Sequence, residues 1–164
     1  MEAKTYNVLF ICTGNSARSI IAEGLMNQLG KGRFKAYSAG SHPKGEVHPL
    51  ALHVLGKNDI DVSGFRSKSW DEFGQPNSPA FDFVFTVCDK AAGEVCPAWP
   101  GQPITAHWGM PDPAAVQGNA FAQESAFLET MVHMRRRIQL FLALPLTSLD
   151  RMAIQREVRD IGTR

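Results

Sequence analysis

The chain has no apolar run long enough to cross a bilayer, no excess of either charge, and too few cysteines for a disulfide framework. Each absence removes a class of function. A bilayer span needs about 20 consecutive apolar residues. The N-terminal Met1-Glu2-Ala3-Lys4 leads into a candidate strand with no secretory h-region, so a cytoplasmic protein with no membrane partner is expected. A formal net charge of +1 gives no general attraction to nucleic acid, so any anion must be held by a local site. Three cysteines, Cys12, Cys88 and Cys96, are an odd number, and their spacing fits no common zinc pattern. The histidines are scattered with no pair at a metal-ligand spacing, and no metal is expected. In a reducing compartment, thiols are more often catalytic or redox-active than structural.

What is present describes one ordinary soluble domain. At 164 residues, with 44% hydrophobic and 20% charged content, the chain is long enough for one proper core and too short for two. Candidate strands Tyr6–Ile11, Phe34–Ala39, Phe81–Val87 and Ile104–Trp108 alternate with helical patterns over Ser19–Leu29, Pro49–Leu55 and Glu124–Leu144. Pro145 ends the longest helix, and Ser148 is a candidate cap for a last helix over Leu149–Arg159. The Arg135-Arg136-Arg137 cluster is assigned to a solvated helix face. The alternation predicts an α/β fold: a single domain over 1–164, an open four-stranded parallel sheet flanked by helices, with 145–164 a C-terminal helical extension. A monomer is expected. Such sheets bind ligands beyond the carboxyl ends of their strands, where Cys12, Cys88 and the loop carrying Asp112 all fall.

The most informative stretch is Val8-Leu9-Phe10-Ile11-Cys12-Thr13-Gly14-Asn15-Ser16-Ala17-Arg18-Ser19. A doubly buried strand runs into a loop of small residues and then into a helix. That junction gathers backbone N–H groups and the positive end of a helix dipole at one point, which suits an oxyanion. A cysteine ending a buried strand is by itself ordinary core. The C-x5-R spacing to Arg18 reverses that reading, because a guanidinium grips a tetrahedral oxyanion through two donors and Ser19 can hydrogen-bond a thiolate. Cys12 is therefore expected to be a nucleophile, with Thr13, Gly14, Asn15, Ser16, Ala17, Arg18 and Ser19 forming the oxyanion cradle.

These residues, with Ala22-Glu23-Gly24, Tyr37-Ser38-Ala39-Gly40, His107-Trp108-Gly109 and Asp112-Pro113, resemble the low-molecular-weight protein tyrosine phosphatase family, most nearly its arsenate reductase branch. The resemblance runs from about Tyr6 to about Leu144. It implies that arsenate, for which phosphate and sulfate are analogues, binds the loop and is attacked by Cys12. Asp112 would act as general acid. Cys88 and Cys96 would complete a disulfide relay regenerated by thioredoxin, or by glutathione and glutaredoxin, with no bound cofactor. The residues after Pro113 are Ala114-Ala115-Val116, without the aromatic side chains by which phosphotyrosine phosphatases of this family grip a ring. Asn15, Glu23 and Ser38 match three ligands of the potassium site in some of these reductases, while Lys68 stands at the fourth. An ammonium there implies no potassium requirement. The competing readings are a phosphomonoester hydrolase, in which Cys88 and Cys96 are dispensable, and a non-catalytic oxyanion or redox sensor.

Overall fold

The computed structural model describes residues 4–88, 99 and 102–164. Four strands, β1 (Tyr6–Cys12), β2 (Phe34–Gly40), β3 (Phe83–Thr86) and β4 (Ile104–His107), form one parallel sheet in the order β2-β1-β3-β4. β1 is central because its residues are apolar without alternation: Val8 through Ile11 are wholly buried. The register places Cys12 opposite Gly40, Ile11 opposite Thr86, and Thr86 opposite His107. The loops that leave β1, β3 and β4 therefore open on one edge, as the strand order requires of a parallel sheet.

Helix α1 (Arg18–Leu29) packs on β2, and with α2 (Pro49–Lys57) and α3 (Ala120–Leu142) it makes one helical layer. The core between layers is rich in aromatics. Phe85 stacks on Trp108 at 4.0 Å between ring centres, and Phe141 meets both edge-on. Each such side chain taken fully out of water contributes about 1.5–3 kcal/mol. Helix α4 (Arg151–Ile161) lies against β4 and buries Ile154, Val158 and Ile161. No helix among the described residues is long and apolar enough to cross a membrane.

Three features differ from the sequence reading. α3 begins at Ala120, four residues before the expected Glu124, because Asn119 caps it by accepting from the Ala122 amide. Its first turn is largely exposed and so carries no apolar period. α4 is capped by Asp150 through the Ala153 amide, and Ser148 is left in the preceding turn. Arg137, assigned to the solvated face with its two neighbours, is buried at 4% exposure.

Candidate active site

β1 delivers Cys12 to the sheet edge, and five residues turn the chain into α1 at Arg18. The loop's carbonyls are tied outward. Thr13 O accepts from the His42 amide at 2.9 Å, Gly14 O from the Lys44 amide at 3.0 Å, and Ser16 O from the His48 amide at 2.9 Å. A planar trans peptide sets its N–H opposite its C=O, so the amides of Gly14, Asn15 and Ala17 turn the other way. A cavity of about 160 Å³ is lined by Cys12, Thr13, Gly14, Ser16, Ala17 and Arg18, with His42, Lys44 and Asp112 also on its walls. The loop folds tightly over the end of β2. A Cβ on Gly40 would sit 2.5 Å from Thr13 O and 2.9 Å from Asn15 N, so only glycine fits there.

Beneath the loop, Asn15 is wholly buried in the left-handed region (φ 45°). Its Oδ1 accepts from the Lys68 amide at 2.9 Å, which fixes the orientation of the side-chain amide. Nδ2 then donates to Ser19 Oγ at 2.8 Å and to Ser38 Oγ at 3.0 Å. Each hydroxyl, already an acceptor from Asn15, directs its proton elsewhere. Ser38 donates to Glu23, and Ser19 faces Cys12 Sγ at 3.0 Å. Either atom of that pair can donate to the other. Glu23 and Lys68 approach to 3.9 Å. Burial pushes the Glu23 carboxyl up, opposed by the Ser38 hydrogen bond and the Lys68 charge, and burial pushes the Lys68 ammonium down, opposed by Glu23.

The loop after β4 brings Asp112 and Ala114 to the cavity wall. Arg18 Nη1 donates to Met110 O at 3.1 Å, and Nη2 stands 3.8 Å from Asp112 Oδ2. Asp112 Oδ1 accepts from the Ala114 amide and caps the short turn Pro113–Ala115. One carboxylate oxygen is thus fixed by the turn, and the other is turned toward Arg18. After β3, Cys88 is buried at 2% exposure, with its Sγ accepting from the Thr13 amide at 3.2 Å and 3.4 Å from Thr13 Oγ1. A second cavity of about 520 Å³ is lined by Cys88 and shares Thr13, Arg18 and Asp112 with the first. No Phe, Tyr or Trp side chain lines either one among the described residues.

A thiol, an arginine at C-x5-R spacing and a carboxylate converge on a pocket sized for a small oxyanion. The sequence matches the low molecular weight phosphotyrosine protein phosphatase family over residues 7–143. The chain belongs to that family. An arsenate reductase of Halalkalibacterium halodurans is 34% identical over 134 residues, covering 82% of this chain and 93% of that one. One from Staphylococcus aureus is 39% identical over 122 residues, covering 74% and 87%. Among solved structures, an arsenate reductase in its oxidized state superposes with a TM-score of 0.66 at 27% identity, covering 82% of this chain and 95% of that one. A thioredoxin-dependent arsenate reductase from Corynebacterium glutamicum gives 0.58 at 26% identity, over 85% of this chain and 65% of that one.

Within this family fold the structure brings Cys12, Arg18, Asp112 and Cys88 to one edge, with Thr13 linking the two thiols' surroundings. Cys96 lies outside the described residues. Of the cradle residues, Thr13 directs its amide to the Cys88 sulfur, and Asn15 and Ser19 work below the loop. Trp108 is buried and donates its indole N–H to Val158 O, and Trp70 packs edge-on to Trp99. Lys44 was missed by sequence reading. It sits in a turn-rich stretch with no motif, and the hydrogen bond from its amide to Gly14 O and the packing of its stem against Gly14 bring it to the cavity wall.

Proposed function

We propose that the protein is a cytoplasmic, monomeric arsenate reductase that uses thiols alone, with no bound metal or cofactor. The carrying observation is the second buried thiol, Cys88, whose sulfur accepts a hydrogen bond from the first amide of the oxyanion loop. Hydrolysis of a phosphoester through a cysteinyl intermediate uses one thiol, with water resolving the intermediate. Reducing arsenic by two electrons uses a pair. The similarity to named arsenate reductases supports the same choice, and so does the absence of an aromatic wall from the described cavity residues.

The steps follow from these positions. Arsenate enters the cradle, held by Arg18 and the inward amides, with Lys44 at the wall. The Cys12 thiolate attacks arsenic, forming an S–As bond, and Asp112 gives a proton to the oxygen that leaves as water. The Cys88 thiolate then attacks Cys12 Sγ. An S–S bond forms, the S–As bond breaks, and its electron pair stays on arsenic, which departs as arsenite. Cys96 attacks Cys88 Sγ, frees the Cys12 thiolate and leaves a Cys88–Cys96 disulfide. Thioredoxin, or glutathione with glutaredoxin, returns that disulfide to two thiols; similarity to a thioredoxin-dependent reductase favours the first. Lys68 supplies the positive charge beside Glu23, so the site has no need of potassium.

The relay makes a stepwise prediction. Without an external reductant, wild-type protein releases one arsenite per chain, and so does Cys96→Ser. Cys88→Ser releases none and holds arsenic on Cys12 as a mass adduct. With thioredoxin, Cys96→Ser stops after that first turnover. Arsenite counting by quench and mass spectrometry checks each species. Repeated arsenite release by Cys88→Ser would overturn the relay, because the two electrons would then come from a thiol other than Cys88.

A further inference from the structure

Three consecutive carbonyls lie just before Asp112, and all three are held by guanidinium groups. Met110 O takes Arg18 Nη1 from the cavity side. Trp108 O and Gly109 O take Arg137 Nη1 at 2.7 and 3.1 Å. Arg137 projects from α3 and is 4% exposed, and every partner the structure gives it is a main-chain oxygen. Its Nη2 donates to Gly162 O at 3.1 Å and Arg164 O at 3.4 Å, beyond the end of α4. The guanidinium is a buried cation, with no Asp or Glu side chain among these partners. It sits where carbonyls from a strand end and a helix C-terminus point inward together, a place that attracts a cation through their partial negative charges. Its Nε is buried without a hydrogen-bond partner, so the main-chain oxygens take only the two Nη groups.

The helix end that it grips is itself pressed against the root of the Asp112 loop. A Cβ at Gly162 would fall 2.2 Å from His107 O and 2.9 Å from Trp108 Cδ1. Trp108 Nε1 donates to Val158 O, tying the same strand end to α4. Helix α4 and Gly162 lie beyond residues 7–143, over which the chain matches the family. We infer that Arg137 is a positioning residue, which clamps the Trp108–Gly109 carbonyls to the end of α4 and so holds Asp112 over the oxyanion cradle. The inference rests on Asp112 serving as the acid of the proposed reaction. It gives the C-terminal helix a part in catalysis at a distance from the reacting atoms.

The test combines Arg137→Gln, Asp112→Asn and their double variant. In Arg137→Gln, amide hydrogen exchange over residues 109–115 is expected to speed up at least about tenfold, while residues 12–18 keep their protection. Arsenate turnover should fall about tenfold or more, and the double variant should be within about twofold of Asp112→Asn, because the two residues act as one unit. Arg137→Lys, which keeps the charge and some of the donors, should recover part of both readouts and serves in place of Gln if that variant does not fold. Multiplying losses in the double variant, or unchanged exchange over 109–115, would overturn the inference. Full activity in Asp112→Asn would instead defeat the acid assignment, and the exchange measurement would still decide whether Arg137 holds the loop.

Discussion

At the scale of single residues, the site depends on the direction of a few protons. Asn15 is oriented by one backbone amide, and that orientation leaves the Ser19 hydroxyl facing Cys12 and the Ser38 proton directed to Glu23. A hydrogen bond to a charged group contributes about 1.5–3 kcal/mol. Ser19→Ala should therefore slow iodoacetamide modification of Cys12 at neutral pH by about tenfold or more, read by peptide mass mapping. An unchanged rate would mean that Ser19 does not stabilise the thiolate. Lys68→Met tests the other branch. The Glu23 carboxyl is raised by burial and partly restrained by the Lys68 charge. A raised carboxyl contributes stability that is full below the ordinary carboxylate range and lost as pH rises through its folded value. Without Lys68 it rises further, so urea midpoints of the variant should fall more steeply from pH 4.5 to 7 than those of wild type. Parallel profiles would contradict this.

At the scale of elements, the oxyanion loop is shaped by its strap, residues 41–48, as much as by β1 and α1. The strap's amides hold three loop carbonyls outward, and its last residue, His48, caps α2 by accepting from the Leu50 amide through Nδ1. The ring packs on Phe127, and burial pushes its protonation down, with Lys44 adding to this and Asp112 opposing it. A lowered histidine contributes stability that is present above its ordinary range, near 6.5, and lost as pH falls through the folded value. Protonation turns the accepting nitrogen into a donor and removes the cap. His48→Asn keeps an acceptor at that position, so its urea midpoint should change less than that of wild type between pH 7 and 5. A wild-type profile flat across that range would remove the cap from the account.

At the scale of the whole molecule, legibility followed distance along the chain. Cys12, Arg18 and Ser19 are consecutive enough for strand, loop and helix patterns to place them in one site, and the parallel sheet then brought Asp112 and Cys88 to the same edge. Arg137 was not legible, since a basic triplet on an amphipathic helix gives no sign that one member turns inward toward carbonyls far along the chain. Lys44 was hidden for the same reason, whereas the capping of α4 by Asp150 is local and was missed because two candidates, Ser148 and Asp150, stand two residues apart. The central claim is that this fold, with its single cradle and its second thiol, reduces arsenate and is recharged by a dithiol partner. Arsenate-dependent oxidation of NADPH with thioredoxin and thioredoxin reductase tests it most directly. The expected result is sustained turnover that is abolished in Cys12→Ser and in Cys88→Ser. No turnover with either thioredoxin or glutaredoxin, alongside brisk p-nitrophenyl phosphate hydrolysis that Cys88→Ser leaves intact, would contradict it.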